Sequence, residues 1–160
     1  MDFRIGFGYD VHRLVEGRAL WLGGVEVASD KGALGHSDAD VLLHAICDAI
    51  LGAAGLRDIG FHFPDTGTTW KDADSKILLR RSMELIREAG WEVGNIDCTL
   101  LLERPKIAPY RDAMIAAIGK SAGIESHQIS IKATTSEGMG FVGDGEGVAA
   151  YAVALIRRAQ

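Results

Sequence analysis

The sequence predicts an α/β sandwich in which one sheet is covered by helices on one face. Three observations lead there. Apolar patterns of period two alternate along the chain with patterns of helical period. No linker, repeat or low-complexity segment divides it. Its 160 residues suit a single domain, and a chain of that size buries roughly 70% of its unfolded surface.

The elements follow in order. Phe3, Ile5, Phe7, Tyr9 and Val11 alternate with Arg4, Gly6, Gly8, Asp10 and His12, so residues 3–12 read as a first strand with two chemically different faces. Residues 20–27 read as a short hairpin turning at Gly23-Gly24. Ser37 is placed as the N-cap of a helix over residues 38–54. Asp38 and Asp40 then fall in its first turn, where the helix dipole favours them, and Leu42, Ile46, Ala49, Ile50 and Ala53 form its apolar stripe. A second helix spans about 75–89 and stops at Gly90. Residues 92–103 form a strand candidate, closed by Pro105 and Pro109 before a helix over about 110–122. Residues 128–135 are another strand. Residues 148–156 fit two states, since their alanines favour helix while their compactness suits a buried strand. These helices suffice for one face of a sheet, so self-association is expected to cover the other.

Composition narrows the function. With 17 Lys+Arg against 22 Asp+Glu, the net charge is -5, which excludes a sequence-independent grip on nucleic acid. Small phosphorylated substrates remain open, because a bound cation can supply positive charge. Glycine stands at 20 of 160 residues, well above the usual ~7%, and five of them fall between Gly138 and Gly147. Cys47 and Cys98 share no motif and read as buried thiols in a reducing compartment. No basic segment followed by an apolar run opens the chain, and the least polar stretch, 41–55, is interrupted by His44 and Asp48. A cytoplasmic protein with no membrane partner is expected.

Four segments carry potential chemistry. Asp10 and His12 leave the same strand face, and a carboxylate with an imidazole suits zinc or another divalent transition metal. His44 lies on the following helix, with Asp40 and Asp48 at i-4 and i+4, either of which could accept its second ring N–H. Three such ligands would leave an open coordination position, although an ordinary helix histidine beside a chance Asp-x-His reads the same way. His36-Ser37-Asp38 is a capped loop that also offers a helix N-terminus to a phosphate. The loop over 58–65, with Asp58 and Asp65 at its ends, reads as a structured turn or a polyol site. Lys132-Ala133-Thr134-Thr135-Ser136-Glu137 runs into the glycine cluster and fits either a phosphate cradle or a glycine-rich hairpin. It is neither a Walker A nor a Rossmann fingerprint. Glu137 could hold a second, hard cation such as magnesium.

In their order, Gly6-Phe7-Gly8-Tyr9-Asp10-Val11-His12, His36-Ser37-Asp38-Ala39-Asp40-Val41-Leu42-Leu43-His44, Asp58-Ile59-Gly60 with Phe63-Pro64-Asp65, Glu103-Arg104-Pro105-Lys106, and Lys132-Ala133-Thr134-Thr135 with Gly140-Phe141 and Gly145-Glu146-Gly147 span nearly the whole chain. Together they closely resemble the 2-C-methyl-D-erythritol 2,4-cyclodiphosphate synthases, cyclases of the non-mevalonate isoprenoid pathway.

The resemblance implies a phosphorus-oxygen lyase that cyclises 4-diphosphocytidyl-2-C-methyl-D-erythritol 2-phosphate and releases CMP. By the same resemblance Asp10, His12 and His44 are the zinc ligands, and Glu137 helps hold magnesium or manganese. His36 and Thr135 stabilise the transition state, with Ser37 beside them. Asp58, Gly60 and Asp65, with Ile59 and Phe63 in the same loop, meet the polyol and ribose. Leu102, Glu103, Arg104, Pro105, Lys106, Ile107 and Ala108, with Ala133 and Thr134, form the cytidine pocket, flanked by Lys132, Ser136 and Phe141. The implied fold is a two-layer sandwich with a mixed β-sheet, helices packed on one face, and sheets meeting around the axis of a homotrimer with inter-subunit active sites. Residues 148–156 are then a strand. Many relatives carry a basic residue where this chain has Asp144, at the mouth of a central cavity that holds isoprenoid diphosphates. Two other readings compete with the cyclase: a zinc-dependent phosphoesterase that activates water, and a non-catalytic trimer that binds isoprenoid phosphates. The complete set of Asp10, His12, His44 and Glu137 speaks against the latter.

Overall fold

In a computed structural model of the chain, residues 2–64 and 73–159 are described. Strand β1 (Phe3–Glu16) is followed by β2 (Leu20–Leu22), β3 (Val25–Val27) and β4 (Lys31–Ala33), then helices α1 (Val41–Ala54), α2 (Ile59–His62) and α3 (Ser75–Glu88). Strand β5 (Trp91–Leu101), helix α4 (Arg111–Ala122), strand β6 (Ile129–Thr134), the one-turn helix α5 (Gly140–Gly143) and strand β7 (Gly147–Arg158) complete it. The five-stranded sheet runs β4-β1-β7-β5-β6, and β2 pairs with β3 apart from it. Among the described residues only β5 and β6 pair in parallel, as the crossover through α4 permits. The sheet is therefore mixed, with its helices on one side. Gly23 and Gly24, at φ 61° and 77°, turn the β2–β3 hairpin, because a two-residue turn of that hand needs positive φ at both positions.

The period-two pattern of β1 is real, but its apolar face points away from the helices. Gly6, Gly8 and Asp10 pair with Ala154, Ala152 and Ala150 of β7, and this row of small residues forms a trough for α1. The opposite row, with Phe7 paired to Val153 and Tyr9 to Tyr151, is exposed. The alanines of β7 are thus strand residues chosen for size. They sit in the central strand between β1 and β5 and, with the glycines of β1, face α1.

Helix α1 departs from expectation at its start. It begins at Val41 with Asp40 as N-cap, not Ser37, and its first turn holds no acidic residue. Ala39 takes φ 56°, a conformation that interrupts a helix before it begins. The Asp40 carboxylate accepts from Leu43 N at 3.0 Å and from Gly23 N and Gly24 N at 2.9 and 2.7 Å, fastening the hairpin to the helix. Nor is α1 a one-sided amphipath. It is buried on every side except at half-buried Asp48 and exposed Gly52, since hairpin, sheet, α3 and α2 surround it.

The 138–147 glycine cluster is not a hairpin. Strands β6 and β7 lie on opposite sides of β5, so the segment is a crossover containing α5. Cys47 and Cys98 are free and buried. Among the described residues no helix is long and apolar enough to cross a membrane.

Candidate active site

Asp10 and His12 project from β1 toward His44 in the first turns of α1. The three prospective ligand atoms lie close together. Asp10 Oδ2 is 3.0 Å from both His12 Nε2 and His44 Nδ1, and the two ring nitrogens are 3.3 Å apart. Three donors about 2.0–2.1 Å from a tetrahedral zinc ion would be separated by about 3.3 Å, so the triad already forms one face of such a tetrahedron. The donor set, two imidazoles and a carboxylate, fits zinc or another divalent transition metal.

The far sides of both rings are held. His12 Nδ1–H donates to the Leu34 carbonyl at 3.0 Å, which leaves Nε2 as the nitrogen that faces the triad. His44 Nε2 lies 2.8 Å from Ser75 Oγ and 3.3 Å from Ser37 Oγ. Neither Asp40 nor Asp48 serves His44. Asp40 caps α1 and anchors the hairpin, while Asp48 accepts from Ile59 N at 2.8 Å. A carboxylate does lie behind His44, but it is Asp38, acting through Ser75. The sequence reading missed Ser75, because α3 delivers it from 31 positions away.

Burial would raise the Asp10 carboxyl, but hydrogen bonds from His12 and His44 outweigh it and hold the group at about 2. Burial would lower the His44 value, and hydrogen bonding to Asp10 reverses this, raising it above the usual range.

The remaining predicted residues form separate groups. Leu102, Glu103, Pro105, Lys106, Ile107 and Ala108, with Ala133, Thr134 and Thr135, line an open cavity of about 310 Å³. Arg104 turns instead into neighbouring cavities with Ser29 and Asp30. Glu103 Oε1 accepts from Ser136 N at 2.8 Å and from its hydroxyl at 3.2 Å, tying the 103 loop to the 136 loop. Lys132 is ion-paired with Asp97 on the adjacent strand, and that hydrogen bond lowers the Asp97 pKa. Exposed Glu137 adopts φ 55°, with its N–H bonded to Thr135 Oγ1 at 3.3 Å. His36 is exposed beside Ser37, and Phe141 is exposed on α5.

Asp58 caps α2 by accepting from Phe61 N at 2.9 Å, which places Ile59 and Gly60 against the α1 turn that follows His44. Phe63 is buried in the core, whereas Asp65 lies outside the described residues.

Within one chain these groups do not close into a single site. Val11 pairs with Ala149, Ala149 with Leu101, and Leu101 with Thr134. The triad and the 310 Å³ cavity therefore sit at the same end of the sheet, three strand spacings apart, or about 14 Å.

Two imidazoles and a carboxylate that could hold a divalent metal with an open position are a donor set of the catalytic rather than the structural type; they stand on a two-layer α/β sandwich, at the same end of the sheet as the 310 Å³ cavity. The model of the YgbB family matches residues 3–157. The chain is 58% identical over 158 residues to the 2-C-methyl-D-erythritol 2,4-cyclodiphosphate synthase of Parabacteroides distasonis, covering 99% of this chain and 98% of that one. It is 60% identical over 156 residues to the synthase of Salinibacter ruber, covering 98% and 99%. Among solved structures, the bifunctional IspDF from Campylobacter jejuni superposes with TM-score 0.95 at 40% identity, over 98% of this chain and 42% of that longer one. The Plasmodium falciparum IspF complex with CDP superposes with TM-score 0.87 at 35% identity, over 99% and 98%. The chain belongs to the YgbB family, that of the 2-C-methyl-D-erythritol 2,4-cyclodiphosphate synthases.

Proposed function

We propose that this chain converts 4-diphosphocytidyl-2-C-methyl-D-erythritol 2-phosphate into 2-C-methyl-D-erythritol 2,4-cyclodiphosphate and CMP. A 2-phosphate oxygen forms a bond to the β-phosphorus as the bond from that phosphorus to the bridging oxygen breaks, and CMP leaves with that oxygen. One observation carries the reading: Asp10, His12 and His44 converge, and the far nitrogen of each ring is held by a hydrogen-bond partner.

Asp10, His12 and His44 would hold zinc, and Glu137 would help hold magnesium or manganese. Bound there, these ions would neutralise phosphate charge and align the reacting groups. The side chains do the rest by positioning. Ser37 and His36 offer hydrogen bonds beside the triad, and Thr135 does so at the mouth of the cavity. The Asp58–Gly60 turn approaches the same α1 turn and suits the polyol and ribose hydroxyls. The cavity formed by residues 102–108 and 133–135 suits a cytidine, with buried Leu102 and Ile107 as its apolar floor.

The working form is a homotrimer with sites between subunits. The exposed row of Phe3, Ile5, Phe7, Tyr9, Val11, Tyr151 and Val153 supplies the interface, and a neighbouring copy supplies the cavity that one chain holds about 14 Å from its own triad. Net charge -5 fits neither nucleic acid nor an anionic membrane surface as partner, and two free thiols fit the cytoplasm.

The test is product analysis of the full chain with zinc and magnesium. CMP with a cyclic diphosphate is expected, and His44→Ala abolishes it. Inorganic phosphate in place of the cyclic product would support the water-activating phosphoesterase, a reading that the named relatives do not favour.

A further inference from the structure

Behind the metal ligand His44 lies a chain of hydrogen bonds that starts on a different helix. Ser75, the first residue of α3, is fully buried. Its Oγ–H donates to Asp38 Oδ1 at 2.5 Å, and its backbone N–H donates to Asp38 Oδ2 at 2.9 Å. A serine hydroxyl has one proton. With that proton directed to Asp38, Ser75 Oγ can only accept from His44 Nε2, 2.8 Å away. The Nε2–H is thereby specified, and Nδ1, which without a metal donates to Asp10, is the nitrogen left to give up its proton and present a lone pair to a metal. Ser37 Oγ, 3.3 Å from the same Nε2, also accepts from Ala39 N. It is the longer and weaker of the two acceptors.

We propose that Ser75 is a positioning residue for the metal site: with Asp38 behind it, it fixes the ring orientation and tautomer of His44 and sets the affinity of the triad for a divalent transition metal. The inference rests on the metal reading of Asp10, His12 and His44. Asp38 polarises the Ser75 hydroxyl and makes its oxygen a better acceptor, so the Asp38–Ser75 pair does for His44 what a directly bonded carboxylate does at many metal sites. It also joins the start of α3 to the turn before α1, so the triad is assembled only when both helices are docked.

Ser75→Ala separates the two roles of this residue. The backbone bond from position 75 to Asp38 survives, and only the hydroxyl between Asp38 and His44 is lost. Zinc affinity of the full chain, measured by competition with a chromophoric chelator, is expected to fall by about 10–100-fold in Ser75→Ala. Asp38→Asn, which keeps an acceptor but removes the charge, is expected to fall by less, and it decides the matter if Ser75→Ala does not fold. In the zinc-loaded wild type the His44 Nε2–H proton should give a protected side-chain resonance that exchanges faster in both variants. Wild-type zinc affinity and an unchanged resonance in the variants would overturn the inference and leave Ser75 a helix-start residue. Equal zinc binding by wild type and His44→Ala would instead refute the metal reading itself, and this inference with it.

Discussion

Gly8 in β1 lies directly against the Ala45 carbonyl of α1: a Cβ built on Gly8 would stand 1.9 Å from that oxygen. Gly6 meets the Ala49 carbonyl at the same distance, one helical turn further on. No side chain fits there. This contact sets the spacing between strand and helix, and so brings His44 to within 3.0 Å of Asp10. Gly8→Ala must push α1 away from the sheet. Overpacking of this kind costs about 1–3 kcal/mol or more, which lowers Tm by roughly 2–12 °C in a chain of this size. Zinc affinity should fall with it. A thermal scan with and without zinc tests both, and an unchanged Tm would contradict the close approach.

Charge linkage at the triad predicts opposite pH trends for the metal-free and zinc-loaded protein. Metal-free, His44 has a raised value, so its pairing with Asp10 stabilises the fold below the unfolded histidine value near ~6.5, and that contribution is lost as pH rises through the raised value. Asp10, lowered to about 2, contributes above the ordinary carboxylate range and loses this only as pH falls toward 2. Zinc requires His44 unprotonated at Nδ1, so its binding strengthens as pH rises. The gain in Tm on adding zinc should therefore be larger at pH 8 than at pH 6; melting curves in chelator and in zinc measure it directly.

The outward row of β1 and β7 predicts assembly through the sheet. Tyr9 and Tyr151 stack at 5.1 Å, and Phe7 and Tyr151 at 6.1 Å, on a face that the chain itself leaves open. Phe7→Glu should convert a trimer to monomers by light scattering and abolish turnover. A variant that stays trimeric would place the interface elsewhere.

Burial pushes both Cys47 and Cys98 thiols up to about 12. Neither should react with a disulfide reagent at pH 8 while the chain is folded, and two thiols per chain should titrate in denaturant. Rapid labelling of native protein would show that α1 or β5 opens.

Asp144 lies exposed in the turn after α5. Three acidic groups around a threefold axis would repel a diphosphate. Titration calorimetry with farnesyl diphosphate should show weaker binding by wild type than by Asp144→Arg, with equal catalytic turnover; tight wild-type binding would refute this.

The alternation of β1, the Gly23-Gly24 turn and the Gly90 stop were legible in the sequence because each depends on neighbours within a few positions. So were Asp10 and His12 as partners, since two residues apart on a strand share a face whatever the fold. His44 was legible as the third member of that cluster through its motif. Three things were not, because each is decided by groups distant in the chain. The helix start moved from Ser37 to Asp40 because Ala39 takes a positive φ and the Gly23 and Gly24 amides hold the Asp40 carboxylate where it also caps Leu43 N. Which face of β1 is buried was not legible either: α1 takes the glycine side, and the apolar side is left exposed. The residue behind His44 proved to be Ser75, backed by Asp38, and only the docking of α3 onto α1 puts it there. The sequence by itself determined which side chains are available for metal and phosphate chemistry; tertiary packing decided which of their atoms face one another, because ring orientation is set by contacts 22 and 31 residues apart.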